Sequence, residues 1–312
     1  MKIILQHIMS IVLSSVLSSV WFMHPEHAMA NAPRIIPFLN GDISPLLTDE
    51  ELAAQNHLPI TSSNEIHVIN DYDRKNTPEN APENSIAVIG MRGVMTKYDQ
   101  RSGGPEGSLA KEKILSRCFL NDNILGVILY VDGPGGEGGA PERIYNKLKG
   151  KNKPAYTVVD GLACSAHCWA TITSDKIYAS SELDILGSIG AYITILDMKG
   201  YFEAQGIKLH EIYAKQSDEK NIQVRKIFEN NDPSLMKEWI SVPTEKFINS
   251  VKAARGDRLK DDGHIFKGKA YYATDALNIG LIDAIGSLDV AIADMQQQII
   301  NSQKKGSIKY HF

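Results

Sequence analysis

The sequence predicts an α/β fold built on a mostly parallel sheet, and three observations carry this. From about residue 85 onward, short and nearly unbroken apolar runs of strand length alternate with stretches of helical period. The runs carry almost no polar residues, as expected of strands buried on both faces. Glycine-rich segments stand where strands should hand over to helices.

In chain order, Ile86 to Met91 reads as a buried strand, Arg101 to Ser108 as a glycine-rich loop and Leu109 to Leu120 as a helix. Leu125 to Val131 (LGVILYV) reads as a strand, Ala140 to Leu148 as a helix and Ala155 to Val159 as a strand. Cys164 to Thr173 then reads as a helix and Lys176 to Ala179 as a strand. Residues 232–254 form a long helical pattern that Pro243 should interrupt, since proline lacks the N–H an internal helical turn needs. Thr274 to Ile279 and Ser287 to Ile300 supply closing helices. Such βαβ alternation argues a single layered sheet, and no internal repeat suggests a duplicated module.

The organisation expected is an N-terminal segment (1–30), an extension and linker (31–84), a compact domain (85–300) and a polar tail (301–312). The linker is clearest at Asp71 to Ser85, which is polar and carries two prolines. Two readings of residues 1–30 stand side by side. One is a signal peptide: the diluted apolar run 3–23 follows Lys2 and precedes Ala28-Met29-Ala30, an A-x-A cleavage triplet. The other is an amphipathic helix that docks on the main domain or on a neighbouring subunit.

Composition narrows the function classes. The chain has 312 residues, 43% of them hydrophobic and 22% charged, which suffices for one large core or two modest ones. A net charge of −4 and a pI near 6.1 give no pull toward phosphate backbones, so nucleic acid is not an expected partner. Three cysteines cannot all pair within one chain, which speaks for a reducing compartment rather than a disulfide-stapled domain. Cys164, His167 and Cys168 are close, but no second ligand pair with zinc spacing accompanies them. They read as small buried helix residues, with no metal and no cofactor expected.

Two stretches carry chemistry. Tyr130 to Gly139 (YVDGPGGEGG) runs from a buried strand into a glycine turn. Glycines there serve either a tight turn alone or amides aimed into open space, as an oxyanion requires. Val158 to Trp169 (VVDGLACSAHCW) is again strand, glycine turn and helix, with Ser165 among small residues that should leave it accessible. A serine there reads as a helix cap or as a nucleophile. His167 is not its base, because positions i and i+2 do not face each other on a helix.

The order of GPGG at 133–136, ACSAHCW at 163–169, SDKIYAS at 174–180 and GSIGA at 187–191 resembles peptidase family S49, the signal peptide peptidase A and phage-type proteases. The resemblance spans about residues 85–300 and includes Gly268 to Gly286. It implies a ClpP/crotonase-like core of repeated ββα units in a spiral, with helical additions. It also implies a serine nucleophile with a lysine base: Ser165 as nucleophile, Gly135 with Ala166 as oxyanion hole, and Ser188 as a group that orients the base. The family's base segment has its counterpart in Glu211 to Asn221 (EIYAKQSDEKN), which departs from the family pattern. Lys220 is the preferred base and Lys215 the alternative. Either must be buried to lose its proton near neutral pH.

The expected activity is therefore acyl-enzyme hydrolysis of peptide bonds by a Ser-Lys dyad, on peptide or protein substrates, in a homo-oligomer. A signal peptide at 1–30 would point to signal-peptide processing near the membrane or periplasm; a docking helix would point to phage capsid or scaffold maturation, in cytoplasm or phage head. Two alternatives differ in kind. One is an oligomeric scaffold that has lost its base. The other is a hydratase of the same broad fold, for which Glu137 is a candidate without a paired carboxylate.

Overall fold

The computed structural model describes residues 21–23, 68–69, 77–99, 106–195, 197–208 and 210–308. Its elements in chain order are β1 (Trp21–Met23), β2 (Val68–Ile69), β3 (Ser85–Arg92), α1 (Ser108–Leu120), β4 (Ile124–Gly133), β5 (Gly135–Glu137), α2 (Pro141–Lys149), β6 (Ala155–Cys164) and α3 (Ala166–Thr171). There follow β7 (Lys176–Ala179), β8 (Ile185–Gly187), α4 (Lys199–Ala204), α5 (Ile222–Asn230), α6 (Ser234–Arg255), β9 (Ala270–Tyr272), α7 (Ala273–Asn278), β10 (Ala284–Ile285) and α8 (Leu288–Ile308). Apart from Trp21–Met23, which form a strand, both readings of residues 1–30 lie outside the described residues.

The main sheet runs β10-β7-β6-β4-β3-β2, and every pair in it is parallel. The α/β class expected from the apolar runs is what the chain adopts. Successive residues of the strands face opposite layers, so the sheet has two cores. Ala87, Ile89, Met91, Val127, Leu129 and Val131 face one, which α1, α2, α3, α6 and α7 cover. Ile86, Val88, Ile128, Tyr130, Tyr156 and Val158 face the other, where Leu288, Ala291, Ile292 and Met295 of α8 lie over them. The first strand shows why its run contains no polar interruption: seven of the eight residues of β3 are buried. Each aliphatic side chain removed from water in this way contributes about 1.5–3 kcal/mol.

Helix faces follow the 3.6-residue period. In α2 the buried positions are 141, 144, 145 and 148, and Pro141 opens the helix, where a missing N–H costs no intrahelical bond. α3 is buried on every side, Trp169 stacking on Phe247 of α6 at 5.1 Å between centroids. The His167 ring rests against Gly133, where a Cβ would come within 2.1 Å of it.

Two expectations from sequence need correction. Pro243 does not interrupt its helix: α6 runs unbroken from Ser234 to Arg255. The helix passes over the proline with the loss of one internal bond, the one that the Trp239 carbonyl would have accepted. Strand β6 does not end at Val159. It continues to Cys164 by exchanging partners, pairing with β7 through Val159 and with β8 from Leu162 onward.

The closing segment is tied in by a buried ion pair. Arg255, 1% exposed, donates Nη1 and Nη2 to the Asp283 carboxylate at 3.0 and 2.9 Å and Nε to the Gly280 carbonyl at 2.8 Å. Asp283 also accepts the Ile177 N–H at 2.8 Å and an Arg258 contact at 3.0 Å. Burial alone would raise this carboxyl's pKa, but the guanidinium and the amide outweigh it and hold the group below its ordinary value.

Arg255→Ala should lower the unfolding free energy at pH 7 by about 3 kcal/mol in denaturant titration, because it removes two charge-assisted hydrogen bonds from a largely buried carboxylate and leaves it with Arg258 and the Ile177 N–H. Arg258→Ala, at the half-exposed partner, should cost less than about 1 kcal/mol. His167 gives a pH signature: burial pushes its pKa from 6.5 down to about 3. Between these values the unfolded chain binds a proton that the native state refuses, so stability falls as pH drops through that window, by about 1.4 kcal/mol per unit. Unfolding free energies measured at pH 7, 6 and 5 should therefore decline more steeply for the native sequence than for His167→Gln, by about one proton.

Candidate active site

The motifs singled out in the sequence meet at the C-terminal ends of neighbouring strands. In the β4–β6 pair Gly133 lies opposite Ala163, and in the β6–β8 pair Cys164 lies opposite Gly187. Because these pairs are parallel, Gly135, Ser165 and Ser188 all follow their strands on the same side of the sheet. α3 packs against β5, which brings the serine turn onto the glycine turn.

Ser165 stands between β6 and α3 with φ 54° and ψ −111°, a backbone state that costs a non-glycine residue about 1–3 kcal/mol. Its N–H donates to the Gly187 carbonyl at 2.8 Å, and its carbonyl accepts the Trp169 N–H at 2.9 Å. The hydroxyl donates to the Gly190 carbonyl at 3.5 Å, a long bond that leaves the oxygen weakly held. Ser165 is 1% exposed, so the small neighbours that were expected to open the site instead let the chain close over it. Ser188 also has positive φ, 50°, and its N–H donates to the Lys269 carbonyl at 2.9 Å. The two serines thus sit on adjacent strand ends, each in a conformation imposed by backbone pairing.

The loop before Ser165 is fixed by carboxylates. Asp184 accepts the Gly161 N–H at 2.9 Å and the Ser181 N–H at 2.9 Å, and Asp132 accepts the Leu162 N–H at 3.2 Å.

On the glycine side, Gly135 has φ 120°, which only glycine adopts without strain. Met95 pairs along one edge of β5: its N–H donates to the Gly135 carbonyl, and its carbonyl accepts the Glu137 N–H, both at 2.8 Å. The approach is so close that a Cβ on Gly136 would stand 1.9 Å from the Met95 carbonyl oxygen. Glu137, the candidate of a hydratase reading, instead accepts the Lys97 N–H at 3.0 Å and braces this loop. Ala166, the first residue of α3, is fully buried behind Ser165.

The lysines stand apart from this arrangement. Lys215 and Lys220 are both exposed, on the segment between α4 and α5. The burial that would strip a lysine of its proton is not supplied to either by the described residues of one chain. Among the described residues, the lysine that the fold does bury is Lys111, 4% exposed, which shares a small cavity with Ser108 and His167. Its Nζ is ion-paired with Glu106 at 2.9 Å.

Cys164 and Cys168 are buried and their thiols are pushed up to about 12 by loss of hydration, so neither is a thiolate at neutral pH. No group of three or more His, Cys, Asp and Glu side chains among the described residues is placed to hold a metal ion.

Sequence reasoning missed the carbonyls of Gly187 and Gly190, although both lie within the GSIGA motif, because sequence does not say which way a carbonyl points. It also missed Met95, whose contribution is entirely backbone and leaves no residue-type signal.

Comparison with known proteins adds to this geometry. The sequence model of peptidase family S49 matches residues 147–300. A protease-named protein of Methanocaldococcus jannaschii is 27% identical over 210 residues, covering 64% of this chain and 66% of its own length. Protease 4 of Salmonella typhi is 26% identical over 212 residues, covering 67% of this chain and 34% of its own length. The chain thus spans about two thirds of the first relative and a third of the second. Among solved structures, a mutant of the 1510-N membrane-bound stomatin-specific protease superposes over 68% of this chain and 84% of that one, with a TM-score of 0.43 and 14% identity. The region that matches peptidase family S49, from Lys147 to Ile300, includes the Ser165 turn and the GSIGA motif.

Proposed function

We propose that the chain is a serine endopeptidase in which Ser165 forms an acyl-enzyme. The observation that carries this reading is the convergence of Gly135, Ser165 and Ser188 on the ends of three neighbouring strands, with Ser165 held at positive φ. The Ser165 Oγ attacks the scissile carbonyl and passes its proton to a neutral lysine. The Gly135 and Ala166 N–H groups receive the negative charge on the tetrahedral intermediate. The lysine then gives the proton to the leaving amine, and water hydrolyses the ester. Substrates of this kind of site are extended, unfolded segments: signal-peptide remnants or the termini of phage capsid and scaffold proteins.

Lys220 is the preferred base and Lys215 the alternative; a neighbouring copy of the chain would bury the segment that carries them. Apolar side chains standing in water around that segment support this, among them Ile212, 93% exposed, Val242, 69%, and Trp239, 48%. α4 and α5 have no buried residue at all, as expected of helices that pack on a partner. A second reading, a non-catalytic oligomeric scaffold of the same fold, is favoured by one observation, the exposure of both lysines.

Labelling by a fluorescent fluorophosphonate from pH 6 to pH 10, run beside peptide hydrolysis, tests the proposal. The native chain should label and cleave, Ser165→Ala should lose both, and the lysine variant at the base should lose at least about 10³-fold in turnover. Both signals should rise with pH as the base loses its proton. A folded native chain that neither labels nor cleaves would put the scaffold reading in place of this one. In sedimentation, the native chain should run above the monomer mass, and Trp239→Glu should shift it toward monomer with little change in melting temperature.

A further inference from the structure

β5 has two edges, and Met95 occupies one of them. Along the other lies β1, from the distant N-terminal segment, antiparallel and in the register Trp21↔Glu137, Phe22↔Gly136, Met23↔Gly135. The direction is informative. β1 enters at the Glu137 end of β5 and leaves at Gly135, the end that adjoins the Ser165 turn through the Gly133↔Ala163 pair and the packing of α3 on β5. A segment in this position runs toward the nucleophile in extended conformation.

An unpaired strand edge beside a nucleophile is the natural place for an extended peptide to add by main-chain hydrogen bonds. The two-stranded sheet β1–β5 spans three residues on each side, too few to be stable by itself. Its occupant is therefore exchangeable, and it stays because it is tethered to the same chain, at an effective concentration in the millimolar range.

We infer that the outer edge of β5 is a peptide-docking edge and that Trp21–Met23 of this chain occupy it as an intramolecular competitor of substrate. The inference rests on the reading of Ser165 as a nucleophile for its consequence, inhibition, but the docking itself is independent of turnover. The recognised chemistry is an extended segment that offers backbone N–H and C=O groups to a strand whose first two residues, Gly135 and Gly136, carry no side chain. The ladder of residues 21–23 is with β5, so a backbone change there is aimed at that pairing, and an unchanged far-ultraviolet circular dichroism spectrum of the Phe22→Pro chain checks that the fold persists.

The test measures docking directly. A fluorescein-labelled peptide with the sequence of residues 19–25 is titrated, by anisotropy, into the full chain carrying Ser165→Ala and into the same chain with Phe22→Pro added. Proline removes a backbone donor and disfavours the ladder. The double variant should bind the peptide about tenfold more tightly, and in the catalytically intact background Phe22→Pro should lower KM with kcat unchanged. Equal affinity in the two chains, or no binding to either, would overturn the inference. Fluorophosphonate labelling of the native chain reads the nucleophile separately: labelling with equal affinities sinks the docking inference alone, whereas tighter binding without labelling sinks only the catalytic reading.

Discussion

The site depends on how strand β6 leaves the sheet. Up to Val159 it is an interior strand between β4 and β7; beyond that point it turns, pairs with β8 and delivers Ser165 onto the Gly187 carbonyl. A serine at φ 54° would relax if it were free to do so. It is held because the residues on both sides are committed, Cys164 to the β8 ladder and Ala166–Thr171 to a helix buried on every face. The stacked Trp169 and Phe247 rings carry that burial out to α6, so the serine turn is anchored to both the sheet and the helical layer.

The glycine side obeys a matching constraint. β5 stays at its place because Met95 grips its inner edge through two backbone hydrogen bonds, and the grip requires that Gly136 have no side chain. Loss of Cβ atoms thus has two effects at once: the strand can approach Met95 on one side, and it presents bare backbone on the other. That second effect makes the outer edge receptive to an extended chain, and the N-terminal strand is what the structure places there.

Rigid and adaptable parts are distributed unevenly. Strand ends, carboxylate-braced loop and buried helix hold the nucleophile side, whereas the segment with Lys215 and Lys220 lies on the surface among exposed apolar side chains. A lysine in water keeps its proton, so desolvation is the one quantity that separates a fold with chemical potential from one that merely binds. The proposed contact between copies of the chain would supply that desolvation and cover the apolar surface in the same step.

The amino-acid sequence located the four central strands β3, β4, β6 and β7 on its own, because a parallel strand buried on both faces must be apolar throughout: IAVIGM and LGVILYV could be little else. It also marked the glycine turn and the serine turn, since each needs particular small residues. Tertiary structure decided what depends on partners far away in the chain. The extension of β6 past Gly161 follows from the position of β8, and α6 runs on through Pro243 although the local sequence argues for a break there. Arg255 is buried because Asp283 waits for it. A three-residue strand such as β1 has no periodicity to read and exists only through its ladder with β5. Local pattern records which face of an element is dry; the choice of partner is a long-range competition among hydrogen bonds and buried area, and only the folded chain settles it.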